Sequence, residues 1–380
     1  MLSWAKQQLA NVAGTPEPIY GTAALHPVAA QTESTPYTIL EKEDLKWADL
    51  DSTSVETQTF YLHADSGHVG MVQVIHSNIA GIRKTSQFNT KIFYPKSQSK
   101  PHLWSTDQLS NVEFSHDKLN FYANDCAVEM SEDGKQYTIK SMTNSNSLVN
   151  LRISQVAPGF QIGRDGKTLY GTNSKKPWGC IRHAFWPRNN AEGTIITNDG
   201  SIDFKGRCLF VYALQGMKPH HAAARWNFVN FQGPNISAIL MEFTTPKAYG
   251  TTAVNVGGLI QNDTILIANS SNSIQYGMAN RDQENGWPIP QSIKAEWIGK
   301  SKDCKDVHAI IEGSLEERID RIDVMAEVPG FVKQIVAGAV GTRPYIYQYG
   351  VDSVSLDIKI GDTTLTEKGY LFTEATFISE

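Results

Sequence analysis

Residues 56–78 read ETQTFYLHADSGHVGMVQVIHSN. An aromatic run gives way to a turn at Asp65-Ser66-Gly67, and a second apolar run follows through Val72, Val74 and Ile75. Aromatic and β-branched residues pack well on a pleated surface, whereas Asp, Ser and Gly accept the backbone angles of a tight turn. The stretch therefore predicts an antiparallel hairpin.

Outward from it the same grammar continues. SQFNTKIFYP (86–95) extends the strands, and DCAVEMSEDGKQYTIKSMT (125–143) predicts a second hairpin turned at Asp133-Gly134. Turn signals recur at Asp165-Gly166 and Asn198-Asp199-Gly200. Strands at even spacing with such turns suit a sandwich or an up-and-down barrel. A boundary is expected near Gly216-Met217-Lys218-Pro219; beyond it WNFVNFQGPNISAILMEF (226–243) repeats the strand, turn, strand pattern of the opening stretch. Further strands close the chain through YIYQYG, VSLDIKI and YLFTEATFI. The two halves share a pattern rather than identities, which points to internal duplication. GFVKQIVAGAVG (330–341) interrupts the strands with a short helical stripe of Phe331, Ile335 and Ala339.

A chain of 380 residues, 41% apolar, is long enough for two cored domains. Its net charge of −5 argues against a nucleic-acid binder, which usually carries a basic domain. Cys126, Cys180, Cys208 and Cys304 are widely spaced with no C-x-x-C, so reduced thiols in a cytoplasmic protein are expected. No G-x-S-x-G, P-loop or G-x-G-x-x-G is written in the chain. No run approaches the roughly 18 apolar residues of a membrane-spanning helix.

The first fourteen residues, MLSWAKQQLANVAG, have a different character. At helical spacing Met1, Leu2, Ala5, Leu9, Val12 and Ala13 gather on one face with Trp4 at its edge, and Gly14, Pro16 and Pro18 end the helix. Two readings stand: a helix docked on its own domain, or one lying in a membrane interface. Lys6 is its one basic side chain, so attachment to anionic lipid would be reversible. A Met-Leu start also suits N-terminal acetylation, which removes the terminal charge.

Chemistry-bearing side chains are densest in PWGCIRHAFWPR (177–188) and GMKPHHAAARWNFVNF (216–231). His183, Phe185, Trp186, Arg188, His221, Arg225, Trp226 and Phe228 are the candidate ligand-binding residues. Apolar-ligand pockets are lined in this manner, mostly aromatic with a few polar groups. His220 and His221 diverge on a strand or a helix, and no H-E-x-x-H occurs, so no metal site is expected. An acid–base role for His183 or His221 is the competing use of the same cluster.

At these segments the chain closely resembles the fungal survival-factor-1 family. The matching runs include ETQTFYLHADSGHVGMVQVIHSNIAGI, PWGCIRHAFWPR, LQGMKPHHAAARWNFVNF, MEFTTPKAYGTTAVNVGG, RIDVMAEVPGFVK, RPYIYQYG and LFTEATFIS. The resemblance implies a mainly β fold of two lipocalin-like antiparallel β-barrel domains behind a short amphipathic helix and arm. The expected divisions are 1–14 (membrane-binding helix), 15–54 (linker or arm), 55–218 and 219–380 (the two domains). It implies a carrier of ceramide or a related sphingolipid from endoplasmic reticulum to Golgi that supports survival under oxidative stress. Such a carrier needs no catalytic residue and no cofactor. Its expected partners are the lipid and a membrane surface, reached through a helix acetylated at Met1. Its expected location is the cytoplasm, peripherally and reversibly on Golgi and endoplasmic reticulum membranes, with the nucleus left open. The alternative is a lipocalin-like enzyme on a lipid or isoprenoid substrate, using His and Arg as acid–base residues.

Overall fold

The computed structural model describes residues 21–79, 81, 83–327 and 343–379. The proposed N-terminal helix, with Met1, Leu2, Trp4, Ala5, Leu9, Val12 and Ala13, lies outside the described residues, as does the helical stripe of 330–341. Two antiparallel sheets make up the rest. The opening stretch forms the hairpin of strands Ser54–Ala64 and Val69–Ile79, with Gly67 at a φ of 83° in its turn. That positive φ costs glycine little because it has no Cβ.

Both sheets follow one plan. In the first, a four-strand meander runs from Ser54–Ala64 through Val69–Ile79 and Arg83–Phe93 to Leu103–Leu109. The half's last long strand, Gly206–Gln215, returns to pair with its first, placing Phe210 opposite Phe60. The second sheet repeats this: a meander from Arg225–Gln232 to Thr264–Asn269, then Thr363–Phe377 returning to Arg225–Gln232. The shared strand order agrees with the pattern likeness between the halves.

Each sheet curls, and among the described residues no backbone ladder joins its two edges. Side chains span the gap instead. Ser105 and Ser147 hydroxyls meet at 2.9 Å in the first half, and Asn269 Nδ2 donates to the Ile298 carbonyl at 2.8 Å in the second. The expected barrels are thus curled half-barrels stitched by side chains.

Strand periodicity divides the apolar residues among three cores. Along Ser54–Ala64, Phe60 and Leu62 face the interior of the first sheet, whereas Tyr61 faces the second sheet, its ring tilted 34° to that of Phe228 with centroids 4.9 Å apart. Residues two apart share a face of the sheet, so one strand feeds two cores. Trp47, Tyr137, Trp186 and Phe210 fill the first interior; Trp297, Tyr347 and Tyr349 fill the second. The third core lies between the sheets and joins Phe160, Phe185 and Leu209 to Phe228, Phe243 and Phe372.

The segment before Ser54 is more than a connector. Leu25–His26 pairs with Lys167–Tyr170, and Tyr37–Ile39 pairs with Phe160–Ile162. Leu45 and Trp47 sit on a 3-10 turn, Lys42–Leu45, and its exit, both buried in the first core. Glu56 secures this arm by accepting from the Ala48 and Asp49 amides at 2.6 and 3.0 Å and from the Tyr212 hydroxyl at 2.6 Å. All four cysteines are free; Cys126 and Cys208 are buried, Cys180 half-buried and Cys304 exposed. Among the described residues no helix is long and apolar enough to cross a membrane.

Candidate ligand cleft between the sheets

A cleft of about 270 Å³ opens where the two sheets face each other. The first sheet contributes Val55 and Thr57, Ile181 and His183, and Ala213 and Gln215. The second contributes Trp226 and Phe228, Met241, and Glu374 and Thr376. Most of these come in pairs two residues apart, because each strand presents one face of its pleat to the gap. Asn227 and Leu214 complete the lining at its margin. The walls are therefore mainly apolar, with polar groups at a few points.

His183 is the most buried of those polar groups, at 4% exposed. Its ring lies nearly parallel to Phe185, centroids 6.3 Å apart, and edge-on to Trp226 at 5.6 Å. Burial in this aromatic setting pulls its pKa down to about 4, because the charged imidazolium would lose its hydration. The ring is neutral at physiological pH, with one donor and one acceptor nitrogen. The unfolded imidazole titrates near 6.5, so on acidification the unfolded chain takes up this proton first. Stability from keeping the ring neutral is full above pH ~6.5 and falls towards pH ~4. By pH ~5 the loss should reach about 2 kcal/mol, read as a falling urea midpoint. His183→Gln should flatten that part of the profile; an unchanged slope would contradict the assignment.

Glu374 is the acid of the cleft. Burial raises its pKa, opposed by a hydrogen bond from the Gln348 amide and by the charge of Lys91. Lys91, 1% exposed, reaches across from the first sheet to pair with Asp320 and donate to Gln348 Oε1 at 2.8 Å. Its ammonium also sits 4.0 Å from the Trp104 ring centroid. A continuous polar path thus leads from Asp320 through Lys91 and Gln348 to Glu374. At the margin Asn227 Nδ2 donates to Glu242 at 3.0 Å, and burial raises the pKa of that carboxyl as well.

Of the eight candidate ligand-binding residues, His183, Trp226 and Phe228 line the cleft. Phe185 packs 5.4 Å from Phe160 in the core between the sheets. Trp186 has the opposite strand parity to His183 and points into the first sheet, 5.0 Å from Tyr137. Arg188 is buried as a clamp: Nη1 donates to the Gly233 carbonyl at 3.1 Å and the Ser237 hydroxyl at 3.0 Å, and Nη2 donates to the Pro234 carbonyl. His221 lies in the short helix Pro219–Ala222 off the cleft, its amide donating to the Lys218 carbonyl at 3.1 Å. Arg225 is exposed, its guanidinium over the Phe377 ring at 5.8 Å. His183 and His221 therefore do not share one site.

Sequence reading missed Glu374, Thr57 and Thr376. A usable signal existed for Glu374: a lone acid among the apolar and hydroxyl residues of YLFTEATFI, in register with Phe372 on the face turned to the gap. Among the described residues no group of three or more His, Cys, Asp or Glu side chains could hold a metal ion.

Comparison with protein families matches residues 2–379 to the Svf1 family. Among curated proteins, the chain is 58% identical over 381 residues to the ceramide-binding protein svf-1 of Neurospora crassa, covering 100% of both chains. It is 51% identical over 397 residues to the ceramide-binding protein svf1 of Aspergillus fumigatus and 39% identical over 383 residues to that of Schizosaccharomyces pombe, again with both chains fully covered. Among solved structures it is similar to CghA bound to Sch210972, with a TM-score of 0.59 at 11% identity, covering 94% of this chain and 98% of that one. Kievitone hydratase from Nectria haematococca follows at a TM-score of 0.53 and 11% identity, covering 97% and 98%. At that identity the structural likeness speaks for the fold alone.

Proposed function

Because the chain belongs to the Svf1 family, we propose that it binds ceramide and carries it between membranes, from endoplasmic reticulum to Golgi, in support of survival under oxidative stress. The two curled sheets act as lipocalin-like domains whose shared cleft, rather than either interior, takes the lipid. One observation carries this reading: the interiors are filled by large aromatics, while the gap between the sheets holds about 270 Å³ of mainly apolar space. Ordinary small-molecule pockets span ~300–1,000 Å³, so a two-chain lipid would place its headgroup and first methylenes here and extend its chains beyond. His183, Trp226 and Phe228 are the proposed contacts from the original eight.

Ala213 offers the cleanest test, since it lines the cleft with a small side chain. Ala213→Trp should fill the space and lower extraction of a fluorescent ceramide from phosphatidylcholine vesicles by at least ~10-fold, about 1.4 kcal/mol. Undiminished extraction by the folded variant would refute the cleft reading.

The N-terminal segment 1–14 is proposed as the reversible membrane anchor, acetylated at Met1, that brings a cytoplasmic protein to Golgi and endoplasmic reticulum surfaces. Leu9→Asp places a charge in its apolar face and should move the protein into the soluble fraction without lowering its thermal midpoint. Persistent membrane association would sink the anchor.

The enzyme alternative gave an acid–base role to His183 or His221; of the two, His183 lines the cleft and His221 does not. The named relatives are binding proteins.

A further inference from the structure

We infer that the cleft selects lipids whose headgroup is uncharged and carries hydroxyl or amide groups, and that it rejects phosphate-bearing lipids, with His183 and Glu374 as the specificity-determining residues. The inference rests on the carrier reading above and extends it from the binding site to the headgroup class.

No lysine or arginine lines the cleft. The cation coupled to Glu374 is Lys91, buried behind it and already engaged by Asp320 and Gln348. A phosphate would enter beside a carboxyl group with no cation free to pair with it. Burying an anion without a partner is among the costliest changes available to a protein. Phosphate sites supply Arg or Lys, or a row of backbone amides at a helix start, and this cleft is walled by strands.

For a neutral headgroup the same lining is well provided. The His183 ring makes no hydrogen bond among the described residues, although it is 4% exposed and lines the space. Its neutral form gives one donor and one acceptor, matching an amide or a hydroxyl. Glu374 Oε1 accepts from Gln348, and Oε2 has no hydrogen-bond partner among the described residues, leaving it to accept from a ligand hydroxyl or amide N–H. Thr57, Gln215 and Thr376 add groups able to donate or accept at the margins.

The test uses full-length protein with two probes sharing one fluorescent acyl chain: a short-chain ceramide and the corresponding ceramide 1-phosphate, each offered in phosphatidylcholine vesicles. Wild-type protein should bind the phosphate at least ~100-fold more weakly than the ceramide, corresponding to about 2.8 kcal/mol. Thr57→Lys and Thr376→Lys, on separate strands, supply the cation the cleft lacks, and each should shrink the ceramide-over-phosphate affinity ratio by at least ~10-fold, whatever it does to ceramide binding itself. His183→Leu should lower ceramide binding by at least ~10-fold, and His183→Gln, which restores a donor and an acceptor, should recover most of it. Equal affinity of the wild type for both probes overturns headgroup selection but leaves the cleft in place. Binding of neither probe overturns the carrier reading itself and the inference with it. Binding of both that Ala213→Trp leaves untouched places the lipid outside this cleft and overturns the cleft assignment and the inference, while carriage itself stands.

Discussion

Arg188→Met is expected to lower the stability of the folded chain by about 3 kcal/mol. Arg188 is 2% exposed, and its guanidinium donates to the Gly233 and Pro234 carbonyls and the Ser237 hydroxyl, all on the hairpin that opens the second sheet. Burial pulls the Arg188 pKa down only to about 10, so the group stays charged and its hydrogen bonds are charge-assisted. Methionine keeps much of the length and apolar stem but leaves two carbonyls and a hydroxyl without that donor, each costing about 1–2 kcal/mol, partly recovered by relaxation. Arg207 also donates to Pro234, at 3.1 Å, so the turn is not left wholly free. Arg188→Lys should recover less than half, because an ammonium cannot span the same fork of acceptors. Urea denaturation followed by tryptophan fluorescence reads the effect. A loss under ~0.5 kcal/mol would show that the clamp contributes little to docking of the halves.

The second large effect separates two tryptophans that look alike in sequence. Trp186 is 1% exposed and lies 5.0 Å from Tyr137 and 5.5 Å from Phe210 inside the first sheet. Trp186→Ala should cost about 3–5 kcal/mol by opening a cavity there. In the fraction that remains folded, ceramide extraction should be close to normal. Trp226 is half-buried at the cleft, 5.0 Å from Phe243. Trp226→Ala should cost about 1 kcal/mol in stability but lower ceramide extraction by at least ~10-fold. A crossed outcome, with Trp186 controlling binding and Trp226 controlling stability, would contradict the placement of the cleft.

That contrast shows how far the sequence could be read. The hairpins were legible because Asp65-Ser66-Gly67 and Asp133-Gly134 mark their turns and apolar runs flank them. The likeness of the halves was legible too, as aromatic strands repeating after Gly216. The candidate cluster was a different matter. As a string PWGCIRHAFWPR reads as one chemical unit, whereas a pleated strand sends His183 and Phe185 to one side and Trp186 to the other. Parity alone could have divided them. Which side meets the second sheet, however, is a fact of tertiary packing that a single strand does not carry. Arg188 was harder still. A register irregularity between Trp186 and Asn189 breaks the alternation, so its direction follows from the bulge and not from counting. Glu374 was missed because it lies some 190 residues from His183 in the chain; only the return of the last strand brings them to one cleft.

The return of the last strand in each half also sets a clock for synthesis. Ser54–Ala64 finds its final neighbour only when Gly206–Gln215 has been made, and Arg225–Gln232 waits for Thr363–Phe377. At ~5–20 residues per second each interval of about 150 residues lasts on the order of 10–30 s. Throughout it the first strand's unpaired edge and its aromatic faces are open to water and to neighbouring chains. During that window the open edge is a template for wrong pairing, and a stop codon ahead of Leu371 would remove the partners of Arg225–Phe231 and leave the second half unclosed.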